Sequence, residues 1–465
     1  MEDIGQLPLP YYLCWIAFLY WMYRSWQARK EGWGVPTMAA LFTAGSWYLG
    51  DPLYNGYSTY LFKFGYPTLE KAWWEVLLFL MSLGFLVPPV NDRINGALVA
   101  GKGKILSVME QRAIDLPWFQ DQIQRVCLLL LIPWGVLTLV ALYRTDWDFV
   151  GILFPYLGEK ADPWARDRLG SGFDAFLALA VYLQLMLTGL YGAVLAISKR
   201  PLTQTVSGIV FFLSAPFYVF DRTRSYILAI LLPGFMAFIA FRLRGGNLMR
   251  LAVIVVSFLI LQSWMKFIIE NRDKASIAAA FNYGGTNLED TTQRVKKHLG
   301  FNMFEELGYI NYFIENGNYH VNWGGRYFAE IVNPIPRVFW PGKPMIGIDY
   351  AIARGMAYGD QDTKSGGVAA SVSTGMIGQG VVNFGGFFGP IAAAFLMAVW
   401  IAVMARQDYL GENLGHLLLY AIGLVLTFNM GRDITLLVLY PFIFGWMILS
   451  VINPARKTSL RALPS

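Results

Sequence analysis

Two cysteines in 465 residues leave this chain without a disulfide framework or a cysteine-built zinc cluster, and Cys14 and Cys127 both fall within or beside apolar runs. Charge is also scarce. Asp, Glu, Lys and Arg make up 15% of the residues, against about 25% in a soluble domain, which excludes an ordinary water-soluble globule. No cleavable signal peptide is evident: Glu2 and Asp3 precede the first apolar run and Arg24, Arg29 and Lys30 follow it, the reverse of a signal peptide's charge order. Internal repeats and low-complexity tracts are absent.

What is abundant is apolar. The chain is 56% hydrophobic and 16% aromatic, and runs such as "VCLLLLIPWGVLTLVALY" and "LAVIVVSFLILQSWMKFII" are long enough to cross a hydrocarbon core of about 30 Å. The expected fold is an all-α polytopic membrane protein of about eleven transmembrane helices. The spans are expected near 8–23, 35–50, 73–90, 126–142, 173–197, 202–220, 226–241, 250–269, 385–405, 415–431 and 434–450. With the N-terminus outside and the C-terminus inside, the inward segments with their membrane edges carry 17 of the 37 Lys and Arg but only 7 of the 31 Asp and Glu. That excess of inward cations fits the positive-inside rule. The formal charge of +6 therefore reflects orientation and gives no reason to invoke nucleic acid.

Three regions follow: residues 1–269 with eight spans, a large outward loop region at 270–384, and residues 385–465 with the last three spans and an inward tail. The loop region is too long for a connector, and loops of that length in compact proteins are usually functional or disordered. Trp323, Tyr327, Phe328, Phe339 and Trp340 supply a small core, which argues against disorder. Within it, "DTTQRVKKHLGFNMFEELGYINYFIENG" reads as helical, with Leu299, Met303, Leu307 and Ile310 on one face. Elsewhere, "WDFVGILFPYLG" reads as an interfacial or re-entrant piece, and "KILSVMEQRAIDLPWF" as an amphipathic helix on the inner leaflet. The stretch "NPIPRVFWPGKPMIGIDY", residues 333–350, holds four prolines, so it is a stiff, non-helical loop that fixes Arg337 and Lys343 on a rigid backbone.

The outward cations can then be placed. "FDRTRSY" sets Arg222 and Arg224 at a span mouth, and Arg272 follows the eighth span. Arg326, Arg337, Lys343 and Arg354 sit in the loop region, and "NMGRDI" puts Arg432 in a tight outer turn. Each alone is equally explained as a snorkelling anchor. Together, over an apolar floor, guanidinium forks suit phosphate oxygens, and the ligand class inferred is an anionic head with a long apolar tail.

In order along the chain, "DRTRSYIL", "FAEIVNPIPRVFWPGKP" and "STGMIGQGVVNFGGFFGP" resemble the bacterial oligosaccharide repeat-unit (O-antigen, Wzy) polymerases, over about residues 200–440. The resemblance implies a GT-C-like membrane glycosyltransferase of the bacterial inner membrane, acting on its periplasmic face. It would move a growing glycan from an undecaprenyl diphosphate carrier to a hydroxyl of a new carrier-linked repeat unit. Arg224 matches the span-mouth arginine, Arg337 and Lys343 the loop cations, and Asn383 the re-entry asparagine. The paired R-x10-G loops of some members are absent. On this reading Arg337 acts at the departing diphosphate, assisted by Arg222, Arg224, Arg272, Arg326, Lys343, Arg354 and Arg432, while Trp323, Trp340 and Asn383 face the glycan. The expected partners are carrier-linked glycans and membrane lipid, with a chain-length regulator protein as a further candidate. No cofactor is expected.

An acceptor hydroxyl needs a base. The outward candidates are Glu330, Asp349, Asp273, Asp433 and His320, with Glu330 and His320 favoured because they stand near Arg326 and Arg337 in sequence; an ordinary surface-loop histidine is nonetheless the simpler reading of His320. "DWD" (Asp146, Asp148) and "DQD" (Asp360, Asp362) have the spacing of a metal-holding carboxylate pair, but chance pairs are common in acidic loops and no metal is assigned. "GMIGQG" and "NFGGFFG" lack a preceding strand, so they read as close helix packing or re-entrant backbone. Two other functions remain open: an O-antigen ligase using the same donor, and a lipid-linked oligosaccharide flippase or other transporter. Transporters bury ionisable groups near mid-membrane, whereas here the charges crowd the outer mouths.

Overall fold

A computed structural model describes residues 7–99, 103–105, 108, 113–155, 157, 160–164, 175–219, 224–243, scattered positions between 248 and 264, 302–333, 335, 339–344, 348–354 and 373–452. Every regular element among them is helical. Five helices are long and apolar enough to cross a membrane. They are α5 (Tyr66–Asn95), α6 (Pro117–Arg144), α8 (Ala175–Ile197), α9 (Pro201–Val219) and α14 (Met376–Tyr409). Apolar but shorter are α10 (Arg224–Ala237), extended by a π-helical turn Phe238–Arg242, α15 (Leu414–Asn429) and α16 (Leu436–Ile452). The chain is thus a helical, multi-pass membrane protein by length and composition.

The first two expected spans differ from this pattern. α1 (Leu9–Gln27) is dense in Tyr and Trp, and α2 (Gly34–Ala44) gives way to a π-helical turn at Gly45–Leu49. The wider turn lets Trp47 donate to the Phe428 carbonyl at 3.0 Å, and the Tyr48 hydroxyl accept from the Ile377 amide at 2.9 Å. Such single-turn insertions recur beside functional sites. Of the eighth expected span only scattered positions between 252 and 264 are described, and those are helical.

At one end of the bundle three connections are tied together. Gly103 donates to the Lys30 carbonyl at 2.9 Å, Ile105 donates to Asp408 Oδ1 at 2.8 Å, and Tyr409 Oη donates to the Glu31 carbonyl at 2.8 Å. Of the expected amphipathic stretch 104–119, residues 106, 107 and 109–112 lie outside the described residues, and Ala113–Asp115 form a short 3-10 turn before α6.

At the other end, the loop region docks on the membrane helices through α11 (Met303–Glu315). Asp51 of α3 (Asp51–Asn55) caps it, its Oδ2 accepting from the amides of Phe304 and Glu305 at 2.8 and 3.0 Å. A carboxylate there satisfies amides that a helix start leaves unpaired and complements its dipole. Lys63 on α4 (Tyr57–Phe64) pairs with Glu305 at 2.6 Å, and Trp73 on α5 stacks on Phe304 at 3.8 Å. Glu75, also on α5, accepts from Asn311 at 2.7 Å. The piece "WDFVGILF" forms a short helix, α7 (Phe149–Leu153), capped by Asp148, which accepts from Gly151 at 2.8 Å.

The glycine-rich stretch forms the first part of α14. At Gly385 (φ 77°, ψ 176°) the helix breaks in a region of backbone space open essentially to glycine alone. A Cβ placed on Gly380 would stand 2.1 Å from the Gly389 carbonyl oxygen. In an unbroken helix those residues would be about 13 Å apart, so the chain folds back on itself at Gly385. Glycines 380 and 389 let the two arms touch backbone to backbone.

Candidate functional site

The site is built on α12 (Gly325–Val332), which starts after a left-handed Gly324 (φ 91°). Its sequence, GRYFAEIV, is amphipathic in an inverted sense. Arg326 and Glu330, one turn apart on one face, are buried, while Phe328 and Ile331 are exposed. A helix that hides its charges and shows its apolar residues suits a membrane boundary. Around it Trp323, Phe339 and Phe387 are also exposed, making an apolar rim.

Two contacts fix α12 and the residues before it to the folded-back arm of α14, and a third, within α14, holds the asparagine that makes one of them. The Asn322 amide donates to the Val382 carbonyl at 3.1 Å. The Tyr327 amide donates to Asn383 Oδ1 at 3.2 Å, and Asn383 Nδ2 donates to the Gln379 carbonyl at 2.7 Å. Asn383 is fully buried, and it acts as a clamp between two backbones. Gln379 in turn exchanges hydrogen bonds with Ile434, accepting from its amide at 2.9 Å, so the turn between α15 and α16 joins the same frame.

That turn brings Asp433 to Arg326, with Oδ1 3.8 Å from Nη2. Asp433 Oδ1 also accepts from the amide and hydroxyl of Thr374 at 3.1 and 2.9 Å. The guanidinium is therefore only loosely paired. Its Nε and Nη1, the Glu330 Oε2 and the Tyr327 hydroxyl are all buried, and none has a hydrogen-bond partner among the described residues. Buried polar groups are nearly always satisfied, and an unsatisfied charged group costs more than a neutral one. Three such residues fall within five positions of this one short helix. Burial pushes the Glu330 carboxyl up to about 7, Asp433 adds to the rise, and Arg326 opposes it. A carboxyl so placed exchanges a proton near neutral pH, as a general base must.

The other expected site residues fall into groups. Arg432 is exposed on the rim, where Nη2 donates to Ser373 Oγ at 3.1 Å. Lys343 is buried and donates to the carbonyls of Asn333 and Ile335 at 2.7 and 2.8 Å. Arg354 follows α13 (Ile348–Ala353) and grips Glu306 with two bonds, 3.2 and 3.0 Å, over the Tyr309 ring at 3.6 Å. Both cations hold the loop region together. Trp340 packs edge-on against Phe328 with centroids 6.3 Å apart, whereas Trp323 is 77% exposed. His320 is exposed, and Asp349 accepts from the Tyr319 hydroxyl. Arg222, Arg272, Asp273, Arg337, Asp360 and Asp362 lie outside the described residues, as does the side chain of Arg224. Asp148 serves as the cap of α7.

Tyr327 was legible only as core material, and nothing in the sequence marks its hydroxyl. Asp433 stood among the possible bases, but its pairing with Arg326 joins residues 107 positions apart. An acid beside an arginine in a tight turn between two apolar helices was the available signal. Comparison with known proteins gives no match: no family model, no curated protein and no solved structure aligns with this chain.

Proposed function

We propose that this protein is a membrane glycosyltransferase that polymerises oligosaccharide repeat units carried on undecaprenyl diphosphate, at the periplasmic face of the bacterial inner membrane. The observation that supports this reading is the buried face of α12, where two guanidinium nitrogens of Arg326 and one carboxyl oxygen of Glu330, one turn apart, have no hydrogen-bond partner among the described residues. The exposed apolar rim beside it supports a substrate that couples an anionic head to a lipid tail.

In this reaction the acceptor oxygen bonds to the anomeric carbon of the donor sugar as the bond from that carbon to the diphosphate breaks. The acceptor proton goes to Glu330, and the electron pair leaves with the diphosphate. Arg326, held loosely by Asp433 at 3.8 Å, turns its free N–H groups to the charge that develops there. Fixed cations in a dry site stabilise such charge without reorganisation. Side chains one helical turn apart have Cβ atoms about 5–6 Å apart, room for a reacting centre between base and leaving group. Tyr327 supplies a hydroxyl to the same space. Arg337, Arg222, Arg224, Arg272 and the rim residue Arg432 are assigned to the diphosphate, and Trp340 and Trp323 to the glycan. The reading includes eleven spans in a GT-C-like arrangement, with the N-terminus periplasmic and the C-terminus cytoplasmic.

The test is a deletion strain together with the purified enzyme. A polymerase predicts lipopolysaccharide core capped with a single repeat unit in the strain, and a ladder of chain lengths from carrier-linked repeat units in vitro. Product formed only on lipid A-core would instead identify a ligase, and repeat units retained on the cytoplasmic side would identify a flippase.

A further inference from the structure

A second cleft lies at the opposite end of the bundle, between α8, α9 and α10. It has a volume of about 410 Å³, inside the range of roughly 300–1,000 Å³ usual for ligand-bearing clefts. Its origin is legible in two glycines. Gly192 on α8 and Gly234 on α10 meet backbone to backbone, a Cβ on Gly234 standing 2.9 Å from the Gly192 carbonyl carbon. That close approach leaves a trough along the α9 side, walled by Leu195, Phe211, Leu231 and Phe238, with Gln204 and Arg242 completing it.

The π-helical turn Phe238–Arg242 sets Arg242 in place. Its Nε donates to the Ala196 carbonyl at 3.0 Å and its Nη2 donates to the Ser198 carbonyl. Gln204 Nε2 reaches the same Ser198 carbonyl at 2.7 Å. The neighbouring cations are neutralised, Lys199 by Asp115 at 2.8 Å and Arg200 by Asp121. Arg242 has no acidic partner among the described residues, and its Nη1 has no acceptor among them. From Arg242 to Leu231 the helix rises about 16 Å, close to half of a hydrocarbon core of about 30 Å. An apolar trough one leaflet deep, with at its outer edge a guanidinium that has no acidic partner among the described residues, matches one acyl chain and the phosphate of a single lipid.

We propose that this cleft is a binding site for an anionic glycerophospholipid of the leaflet at that end of the bundle, with an acyl chain in the trough and its phosphodiester on Arg242. Basic pockets between membrane helices bind anionic headgroups by the same chemistry. This proposal is independent of the reaction at α12.

Native mass spectrometry of the purified full-length protein, offered equal amounts of phosphatidylglycerol and phosphatidylcholine, tests it. One phosphatidylglycerol should be retained in about fivefold preference, the effect of one cation facing an anionic lipid. Arg242→Gln should abolish the preference and Arg242→Lys should retain it. Ala196→Phe, which fills the trough, should remove the tightly held lipid of either kind. A double Lys199→Ala, Arg200→Ala variant should behave as wild type. Equal retention of the two lipids by wild-type protein overturns the proposal. So does a preference that survives Arg242→Gln, or a bound lipid that survives Ala196→Phe. If Arg242→Gln fails to fold, wild type and Ala196→Phe decide the matter between them.

Discussion

Replacing Asp433 by Asn tests the electrostatics of the α12 site directly, because it removes one charge and little else. The Asn carbonyl oxygen keeps the bonds now accepted from Thr374 at 3.1 and 2.9 Å. What disappears is the negative charge that, after burial, is the main cause of the raised Glu330 carboxyl. Asp433 lies 3.8 Å from Arg326, and Arg326 lies one turn from Glu330, so the two carboxyls stand within roughly 10 Å of each other. At an effective dielectric constant of about 20, two charges at that distance interact by about 1.7 kcal/mol, slightly more than one pKa unit. Glu330, now at about 7, should therefore fall to about 6. If its ionised form is the base, the rate of transfer rises with pH through the folded value. The acid limb of kcat/KM should then move down by about one pH unit. At pH 6 about a tenth of the wild-type sites and about half of the variant's are ionised, so the variant's rate, relative to its own rate at pH 8, should be about fivefold higher. The assay is initial polymerisation of carrier-linked repeat units in detergent between pH 5.5 and 8.5. Glu330→Gln should lose the limb and about 10²–10⁴ in rate. An acid limb unmoved by Asp433→Asn, or still present in Glu330→Gln, refutes the assignment.

Arg326→Lys keeps the charge but loses the planar fork; turnover should drop by about 10²–10³ with the thermal midpoint nearly unchanged, and wild-type turnover would remove Arg326 from the chemistry. Lys343→Met strands the carbonyls of Asn333 and Ile335, so it should lower the thermal midpoint by the equivalent of about 2–3 kcal/mol while changing kcat little in the folded fraction; a selective kcat loss would return Lys343 to the diphosphate. Asp51→Ala uncaps α11 and also removes the Oδ1 that accepts from Asn55 Nδ2 and the Tyr60 hydroxyl. It should cost about 3–5 kcal/mol and open residues 303–315 to protease; an unchanged digestion pattern would contradict the capping role.

Helical, multi-pass architecture was legible because apolar run length is a property of neighbouring residues. The break at Gly385 falls beside the expected start of the ninth span for a similar local reason: two glycines after "NF" cannot sustain a regular helix against a closely packed neighbour. Charge pairing was far less legible. Lys343 and Arg354 read as ligand cations because their partners are invisible along the chain. A proline-stiffened loop has carbonyls but few internal donors, so it recruits the nearest ammonium, and Glu306 stands 48 positions before Arg354. Arg326 and Glu330 were candidates by proximity alone. Their inverted exposure, the feature that singles them out, depends on which side of α12 meets α14 and the turn at Asp433, and no local pattern encodes that.

The stacking of Trp73 on Phe304, and the reach of Asp51 to an amide 253 positions later, also set an order of assembly during synthesis. At roughly 5–20 residues per second, the ribosome needs about 13–50 s to add the segment that covers α3 and the outer end of α5. Throughout that interval the nascent chain shows a bare aromatic face and a carboxylate with two of its eventual partners missing. An insertase or membrane chaperone has that window in which to hold it. Chains that terminate before residue 303 never acquire the cover, and should be cleared by proteolysis instead of accumulating as a stable half-bundle.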